Sequence, residues 1–240
     1  MLTSPSASPV ASVIVPAFNE AGTLTDVVEG IQALPFSTEV LIVDDCSTDG
    51  TTAKVRHLAA QPGVRAILHR RNAGKGAAIR SALSHATGEV IVIQDADLEY
   101  NPADIEQVIR PILAGEADVA FGSRFAVRPT DAGSSDWARR LHRAANWLLT
   151  WLSNRSTGLR LTDMETCYKA MRRDVAAGLV LREDRFGFEP EFTAKIARGG
   201  WRVVEVPVSY CPRNRAAGKK IGLADGIRTL WCIVRYAWRD

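Results

Sequence analysis

The sequence predicts an α/β fold, a mostly parallel sheet flanked by helices. Short apolar runs of strand length end in polar or glycine-containing turns, and the segments between them carry apolar residues at three- and four-residue spacing. That alternation is what βαβ units produce. A length of 240 residues with 46% hydrophobic content suits one large domain with a core of its own.

In chain order, the expected strands are Ser12–Val15, Val40–Val43, Arg65–Leu68, Val90–Ile93 and Val119–Phe121. The helices between them are Ala21–Leu34, Thr51–Ala60, Gly76–His85 and Pro102–Leu113. Ser47, Thr48 and Asp49 are candidate N-caps for the second helix, because short side-chain oxygens accept from free first-turn amides. Asn101-Pro102 puts a proline where a first turn tolerates one. After Arg124 the alternation stops. A polar segment, Ala126–Asp136, has the character of a lid or binding loop and precedes a Trp-rich helix, Trp137–Leu152. A mixed segment Thr162–Arg173, a helix near Glu189–Arg198, a strand Arg202–Val208 and a terminal amphipathic helix Leu223–Trp238 complete the chain. Residues 1–10, rich in Ser, Pro and Ala, read as a disordered leader without the features of a secretion signal.

Basic residues number 30 and acidic residues 27. Between Arg198 and Arg239 stand nine basic and two acidic residues, a local charge of +7 in a chain of formal charge +3. Such a region is either a solvated basic surface or a site for an anionic partner, a phosphate or a phospholipid surface among them. Cys46, Cys167, Cys211 and Cys232 are dispersed and form no CxxC pair, which implies reduced thiols and a cytoplasmic setting. Asp225, Arg228 and Arg235 interrupt the best C-terminal candidate for a membrane span, so the chain is not expected to cross a bilayer by itself.

Open parallel sheets bind ligands beyond the C-terminal ends of their strands. Three such ends carry acids: Glu20, with Pro16 and Asn19, after the first strand; Asp44 and Asp45 after the second; Asp95, Asp97 and Glu99 after the fourth. Acids gathered at one edge repel one another unless a cation sits among them, and Mg²⁺ or Mn²⁺ with oxygen ligands meets that need. Asp95-Ala96-Asp97 is the sharpest signal, since alternate side chains of an extended segment share a face. The competing use of such acids is helix capping or solvation in a turn.

In order and spacing, four stretches resemble the family 2 glycosyltransferases: Val13-Ile14-Val15-Pro16-Ala17-Phe18-Asn19-Glu20, Val43-Asp44-Asp45-Cys46-Ser47-Thr48-Asp49-Gly50-Thr51, Asn72-Ala73-Gly74-Lys75-Gly76 and Asp95-Ala96-Asp97. Gly122-Ser123-Arg124 and Glu205-Val206-Pro207-Val208 extend the resemblance toward the branch that transfers mannose or glucose to polyprenol or dolichol phosphate. The resemblance covers nearly all of Ser12–Gly222. It implies a GT-A fold, a nucleotide-sugar donor of the GDP-mannose or UDP-glucose type, and inversion at the sugar carbon. It further implies a catalytic domain over 11–222, donor-binding to about residue 124 and acceptor-facing beyond it, followed by a C-terminal helix in 223–240.

Carried over by position, Pro16, Ala17, Asn19 and Glu20 resemble the nucleoside pocket, and Asp44 resembles a contact to base or ribose. Asp95, Ala96 and Asp97 resemble the segment that holds metal and diphosphate. Glu99 stands at the third metal-side position, where the branch often has Gln, and adds a negative charge. Lys75, in a glycine-flanked turn before a helix, is placed to face the diphosphate; a solvated turn lysine is the plainer alternative. On the acceptor side, Arg124 and the cluster Arg213, Arg215, Lys219 and Lys220 resemble the cations that contact the acceptor phosphate, a task for which the guanidinium fork is suited.

Asp163 and Glu165 occupy the stretch where the family places acceptor-side acids, although Thr162–Glu165 also resembles a capping box. A lipid monophosphate with a second pKa of about 6 is mostly dianionic at neutral pH and already nucleophilic. Asp163 or Glu165 is therefore expected to orient the reactants and stabilise the transition state, alongside Asp97 and Arg124. Trp147, Leu148, Trp151 and Leu152, with Trp231, Ile233 and Tyr236, are either packing residues or a face resting on a membrane surface. A membrane partner subunit or a second copy is a further expected partner, and nucleic acid is not. The rival readings are a family 2 enzyme acting on a hydroxyl acceptor, a nucleotidyltransferase, and a non-catalytic receiver-like module, which leaves Asp95, Asp97 and the basic C-terminal region without a use.

Overall fold

A computed structural model describes residues 8–126, 137–213 and 223–238. Its elements are β1 (Ala11–Ala17), α1 (Leu24–Gln32), β2 (Thr38–Asp44), α2 (Thr51–Leu58), β3 (Val64–Leu68), α3 (Lys75–Leu83), β4 (Val90–Ile93) and α4 (Asp104–Leu113). There follow β5 (Val119–Ser123), α5 (Trp137–Thr157), β6 (Lys169–Arg172), α6 (Arg173–Ala177), α7 (Phe188–Arg198), β7 (Val203–Pro207) and α8 (Leu223–Trp238). Seven strands form one sheet in the order β3-β2-β1-β4-β6-β5-β7. Every pairing is parallel except those of β6, which runs antiparallel between β4 and β5.

The central strands are covered on both faces, which is why they read as unbroken apolar runs. Val13, Ile14, Leu41, Ile42 and Val90 to Ile93 are all buried. Helices α1 and α4 each turn one stripe inward, Leu24, Val27, Val28 and Ile31 on the first, Ile105, Val108, Ile109 and Ile112 on the second. The parallel sheet and its flanking helices were expected; β6 and α6 were not. Lys169 breaks the apolar run of β6, yet its side chain is wholly buried. Its ammonium donates to the carbonyl of Met164 at 3.1 Å and to that of Thr166, so a charged residue is satisfied inside a central strand.

The loops beyond β1, β2 and β4 converge at one edge of the sheet. The non-glycine residues with positive φ among those described are Asn19 (55°), Cys46 (63°) and Leu98 (58°), one in each of these loops. Such conformations persist where the surroundings hold them in place. The expected caps of α2 are placed differently. Its N-cap is Gly50, at φ 96°; Asp49 accepts from the Thr51 amide at 3.0 Å, while Ser47 and Thr48 bond to Asn19 in the β1 loop.

Helices α5, α7 and α8 pack on one another beside the sheet. Glu183, buried in the segment before α7, ties α8 down by accepting from Arg228 at 2.7 Å and from the Tyr236 hydroxyl at 3.1 Å. The same segment presses on the start of α3, where Ala77 donates its amide to the Asp184 carbonyl at 3.0 Å. A Cβ on Gly76 would collide with the Glu183 carbonyl, and one on Gly74, at φ 101°, with that of Asp184. Gly22 has open space around it. Gly76→Ala is therefore expected to destabilise the fold by about 1–3 kcal/mol through overpacking. Gly22→Ala should change stability by less than about 0.5 kcal/mol. Urea denaturation of the two variants checks the contrast.

Candidate active site

The converging loops enclose a cleft of about 370 Å³. Pro16, Ala17 and Glu20 line it from the β1 loop, Asp45 from the β2 loop, Lys75 from α3, and Asp95, Ala96, Asp97 and Glu99 from the β4 loop. Arg124 enters from the end of β5, with Glu165, Glu189, Tyr210 and Arg213 beside it.

Asn19 and Asp44, expected at the nucleoside, bond to the loops around them. Asn19 donates its amide to Ser47 Oγ at 2.9 Å and accepts from the Thr48 amide at 2.8 Å, clasping the β1 and β2 loops together. Asp44, 1% exposed, accepts from the Ser47 amide at 3.0 Å and from the Thr52 hydroxyl, so both its oxygens serve its own loop. The carboxylate that faces the cleft from this turn is Asp45. It accepts from the amides of Ala73 at 2.9 Å and Gly74 at 2.7 Å, and it meets His69 Nδ1 at 2.7 Å. Asp45 thereby positions the turn that carries Lys75.

Lys75 lies 3.0 Å from Asp95 and 3.2 Å from Glu189. Burial alone would lower its pKa; the charges of Asp95 and Glu189 outweigh burial and hold it well above the ordinary lysine value. Asp95 in turn is held low by Lys75 against the opposing effect of burial. Asp97 is pushed up to about 6 by burial and by the charges of Asp95 and Glu99, with Arg213 pulling the other way.

Arg213, expected at the acceptor phosphate, lies among the acids of the β1 and β4 loops. Its guanidinium contacts Glu20 at 2.9 and 3.1 Å and Asp97 at 2.7 Å, and its amide donates to Glu99 at 3.0 Å. The backbone sets this position: a bridge between Tyr100 and Tyr210, and a bond from the Cys211 amide to the Glu99 carbonyl at 2.8 Å, run the post-β7 segment alongside the β4 loop. Arg215, Lys219 and Lys220 lie outside the described residues.

Glu99, expected as a third metal ligand, accepts from the Tyr210 hydroxyl at 2.8 Å. Among the described residues no group of three His, Cys, Asp or Glu side chains is arranged to hold a metal ion. The donor chemistry fits a divalent ion in another way. Mg²⁺ is commonly held by one or two carboxylates together with substrate phosphate oxygens, and Asp95 and Asp97 are two partly exposed carboxylates whose mutual repulsion a dication relieves.

At the end of β5 Arg124 grips Asp163 in a two-pronged pair, Nε to Oδ2 at 2.6 Å and Nη2 to Oδ1 at 2.7 Å. Asp163 is wholly buried, also accepts from Asn146 at 3.3 Å, and does not line the cleft. It holds Arg124 in place, with the guanidinium 5.1 Å from the Tyr210 ring centre. No helix follows Thr162–Glu165; the amides of Thr162 and Asp163 go to Glu205 instead, at 2.8 and 3.0 Å, which removes the capping-box alternative.

Glu165 does line the cleft, with a buried Oε1 that has no hydrogen-bond partner. Burial, then the charge of Glu189, pushes its carboxyl up to about 8 against the pull of Lys169 and Arg124. Sequence reasoning placed Asp45 among the edge acids but gave the ligand contact to Asp44, and it missed Glu189 and Tyr210 as cleft residues. Asp45 sat inside a recognised motif, one position from the residue chosen; Glu189 and Tyr210 carried no local signal.

The family model "Glycosyl transferase family 2" matches residues 12–179. Glycosyltransferase AglJ of Haloferax volcanii is 31% identical over 84% of this chain and 63% of its own length. An undecaprenyl-phosphate 4-deoxy-4-formamido-L-arabinose transferase of Klebsiella pneumoniae is 31% identical over 89% of this chain and 63% of its own. The chain thus spans just under two thirds of the length of these curated relatives. Glucosyl-3-phosphoglycerate synthase of Mycobacterium tuberculosis superposes with a TM-score of 0.71 at 21% identity, over 97% of this chain and 82% of that one. A Pyrobaculum calidifontis mannosyltransferase in complex with GDP-mannose and Mn²⁺ gives 0.62 at 23% identity, over 88% and 59%. At these identities the structural likeness concerns the fold, which is GT-A.

Glu165 provides a test of the cleft's electrostatics. Its carboxyl keeps its proton to about 8 when folded, against an ordinary value of 4.5, so between these values the folded chain binds more protons than the unfolded one. The stability contribution of Glu165 therefore falls as pH rises through that window. Glu165→Gln cannot ionise, so its melting temperature relative to the native protein should rise steadily from about pH 5 to about pH 8. Scanning calorimetry over that range measures the difference, and a constant offset would contradict the assignment.

Proposed function

The chain belongs to the family 2 glycosyl transferases, and on that premise we propose that it moves a hexose from a nucleotide diphosphate sugar, of the GDP-mannose or UDP-glucose type, to a polyprenyl phosphate with inversion. One observation carries the reading. A single cleft sets Lys75, Asp95 and Asp97 on one wall and the braced guanidinium of Arg124 on another. A reaction between two phosphate-bearing substrates needs cationic support at both ends. Several relatives are undecaprenyl-phosphate 4-deoxy-4-formamido-L-arabinose transferases, which favours the same acceptor.

In this reading Asp45 and the Gly74 turn hold Lys75 and the start of α3 toward the donor diphosphate, where the helix dipole adds to the lysine charge. Asp95 and Asp97, together with diphosphate oxygens, would hold a divalent ion, Mg²⁺ or Mn²⁺, which would supply positive charge to the departing nucleotide. Arg213, paired with Asp97 at 2.7 Å, adds a fixed cation beside the same carboxylate. Arg124, locked by Asp163, presents its remaining donors to the acceptor phosphate and fixes the attacking oxygen opposite the leaving group.

The acceptor phosphate is largely dianionic near neutral pH and needs no proton removed. Glu165, protonated near neutrality, orients the sugar or the acceptor rather than serving as a base. A lipid acceptor places the chain at the cytoplasmic face of a membrane as a peripheral protein.

Incubation with labelled nucleotide sugars, Mn²⁺ or Mg²⁺ and undecaprenyl phosphate in detergent should move label into the organic phase. Arg124→Lys keeps a charge beside Asp163 but loses the planar fork, and should lower kcat/KM by about 10²-fold. Asp97→Asn should lower it by at least as much and weaken Mn²⁺ retention with the nucleotide diphosphate bound. Transfer to a free hydroxyl acceptor, or nucleotidyl exchange alone, would replace this reading with one of its rivals.

A further inference from the structure

Helices α5 and α8 are neighbours, and each carries apolar residues on the side turned away from the protein. On α8, Ile227, Leu230, Trp231, Val234 and Trp238 are all exposed, Trp238 at 86%. Their spacing of three and four residues is one stripe of a helix. The opposite stripe, Thr229, Cys232, Ile233 and Tyr236, is buried, so of the two readings open for Ile233 and Tyr236 they take the packing one and form the inner attachment. On α5, Leu141, Trp147, Leu148 and Trp151 are exposed, Trp147 at 65%, while Asn146, Thr150 and Ser153 face inward. Among the described residues nothing covers these outer apolar stripes.

Basic residues dominate the two helices, although Arg228 and Arg235 share the buried Glu183 of the segment before α7, at 2.7 and 3.9 Å. From Trp137 to Thr157 there is no Asp or Glu, and in α8 Asp225 is the only one. Arg228 and Arg235 flank the Trp231 ring at 4.5 and 4.8 Å from its centre, and Arg143 lies 5.6 Å from the Phe125 ring centre. Tryptophans set among arginines beside aliphatic side chains match the boundary of an anionic bilayer, with acyl chains below and phosphates at the arginine level. A second copy of the chain is disfavoured as the occupant, since a two-fold contact would press arginine-rich faces together.

The patch also leads toward the acceptor wall. Trp147 and Trp151 line a second cavity of about 500 Å³ whose far side includes Phe125, Asn146 and Thr162. Asn146 reaches both Arg124 and Asp163, at 3.4 and 3.3 Å.

We infer that the outer faces of α5 and α8 form a docking surface for an anionic lipid bilayer, which sets the Arg124 side of the cleft toward the headgroups. The orientation rests on the function proposed above; the docking does not.

Co-sedimentation with phosphatidylglycerol/phosphatidylcholine vesicles, free of polyprenyl phosphate and without nucleotide sugar, tests the docking. The native chain should bind, more weakly at high salt and on pure phosphatidylcholine. Trp231→Ser/Trp238→Ser and Trp147→Ser/Trp151→Ser, all exposed positions, should each lower binding by 10-fold or more. Trp201→Ser, on neither helix, should leave it unchanged. Equal binding by all variants, or no binding by the native chain, overturns the inference. So does sedimentation velocity showing a native dimer that the α8 variant converts to monomer. Transfer to a short, water-soluble prenyl phosphate separates the two claims. If the native chain carries out that transfer but ignores vesicles, only the docking fails; if it binds vesicles but transfers to no prenyl phosphate, only the proposed chemistry fails.

Discussion

Repulsion among carboxylates at one edge of a parallel sheet is the constraint on which this structure depends. Glu20, Asp95, Asp97 and Glu99 meet at the cleft together with Glu165 and Glu189. The chain meets the repulsion with two cations from distant segments, Lys75 between Asp95 and Glu189, and Arg213 across Glu20 and Asp97. Burial first, and then the charges of neighbouring acids, raise the proton affinities of Asp97 and Glu165 even with these cations in place. A cleft with uncompensated negative charge favours a dication, and a diphosphate then has two cations to approach.

The second organising element is the buried pair Arg124–Asp163. A buried ion pair is weak as a source of stability, because desolvation offsets most of the attraction. What the pair supplies is position. Asp163 uses both oxygens on Arg124, and its own amide is fixed by Glu205, so the guanidinium faces the cleft from a rigid base. Glu183 plays a comparable part for α8, and because its segment also presses on the start of α3, the outermost helix and the Lys75 turn share one support.

These supports explain where the backbone is unusual. The strained residues Asn19, Cys46 and Leu98 lie in the three loops that bring the acids together, and Gly74 and Gly76 lie where α3 meets the Glu183 segment. Close approach of main chain to main chain, rather than a requirement for flexibility, is what the two glycines serve.

The sequence by itself determined the α/β class, the strands that precede the acids, the family and half of the residues that line the cleft, because apolar periodicity and motif spacing are local and short-range geometry converts them directly into strands, helices and turns. It left open what depends on orientation and on distant partners. Successive residues at a strand end point to opposite sides, so whether Asp44 or Asp45 faces the cleft follows from how the sheet is covered. Strand β6 was hidden because its buried lysine is satisfied by carbonyls that only the folded loop supplies. Arg213 lies 116 positions from Asp97, and the Tyr100–Tyr210 bridge, not its neighbours in sequence, puts it beside the β4-loop acids. Burial and long-range pairing decided those residues, and neither is written in the local pattern of side chains.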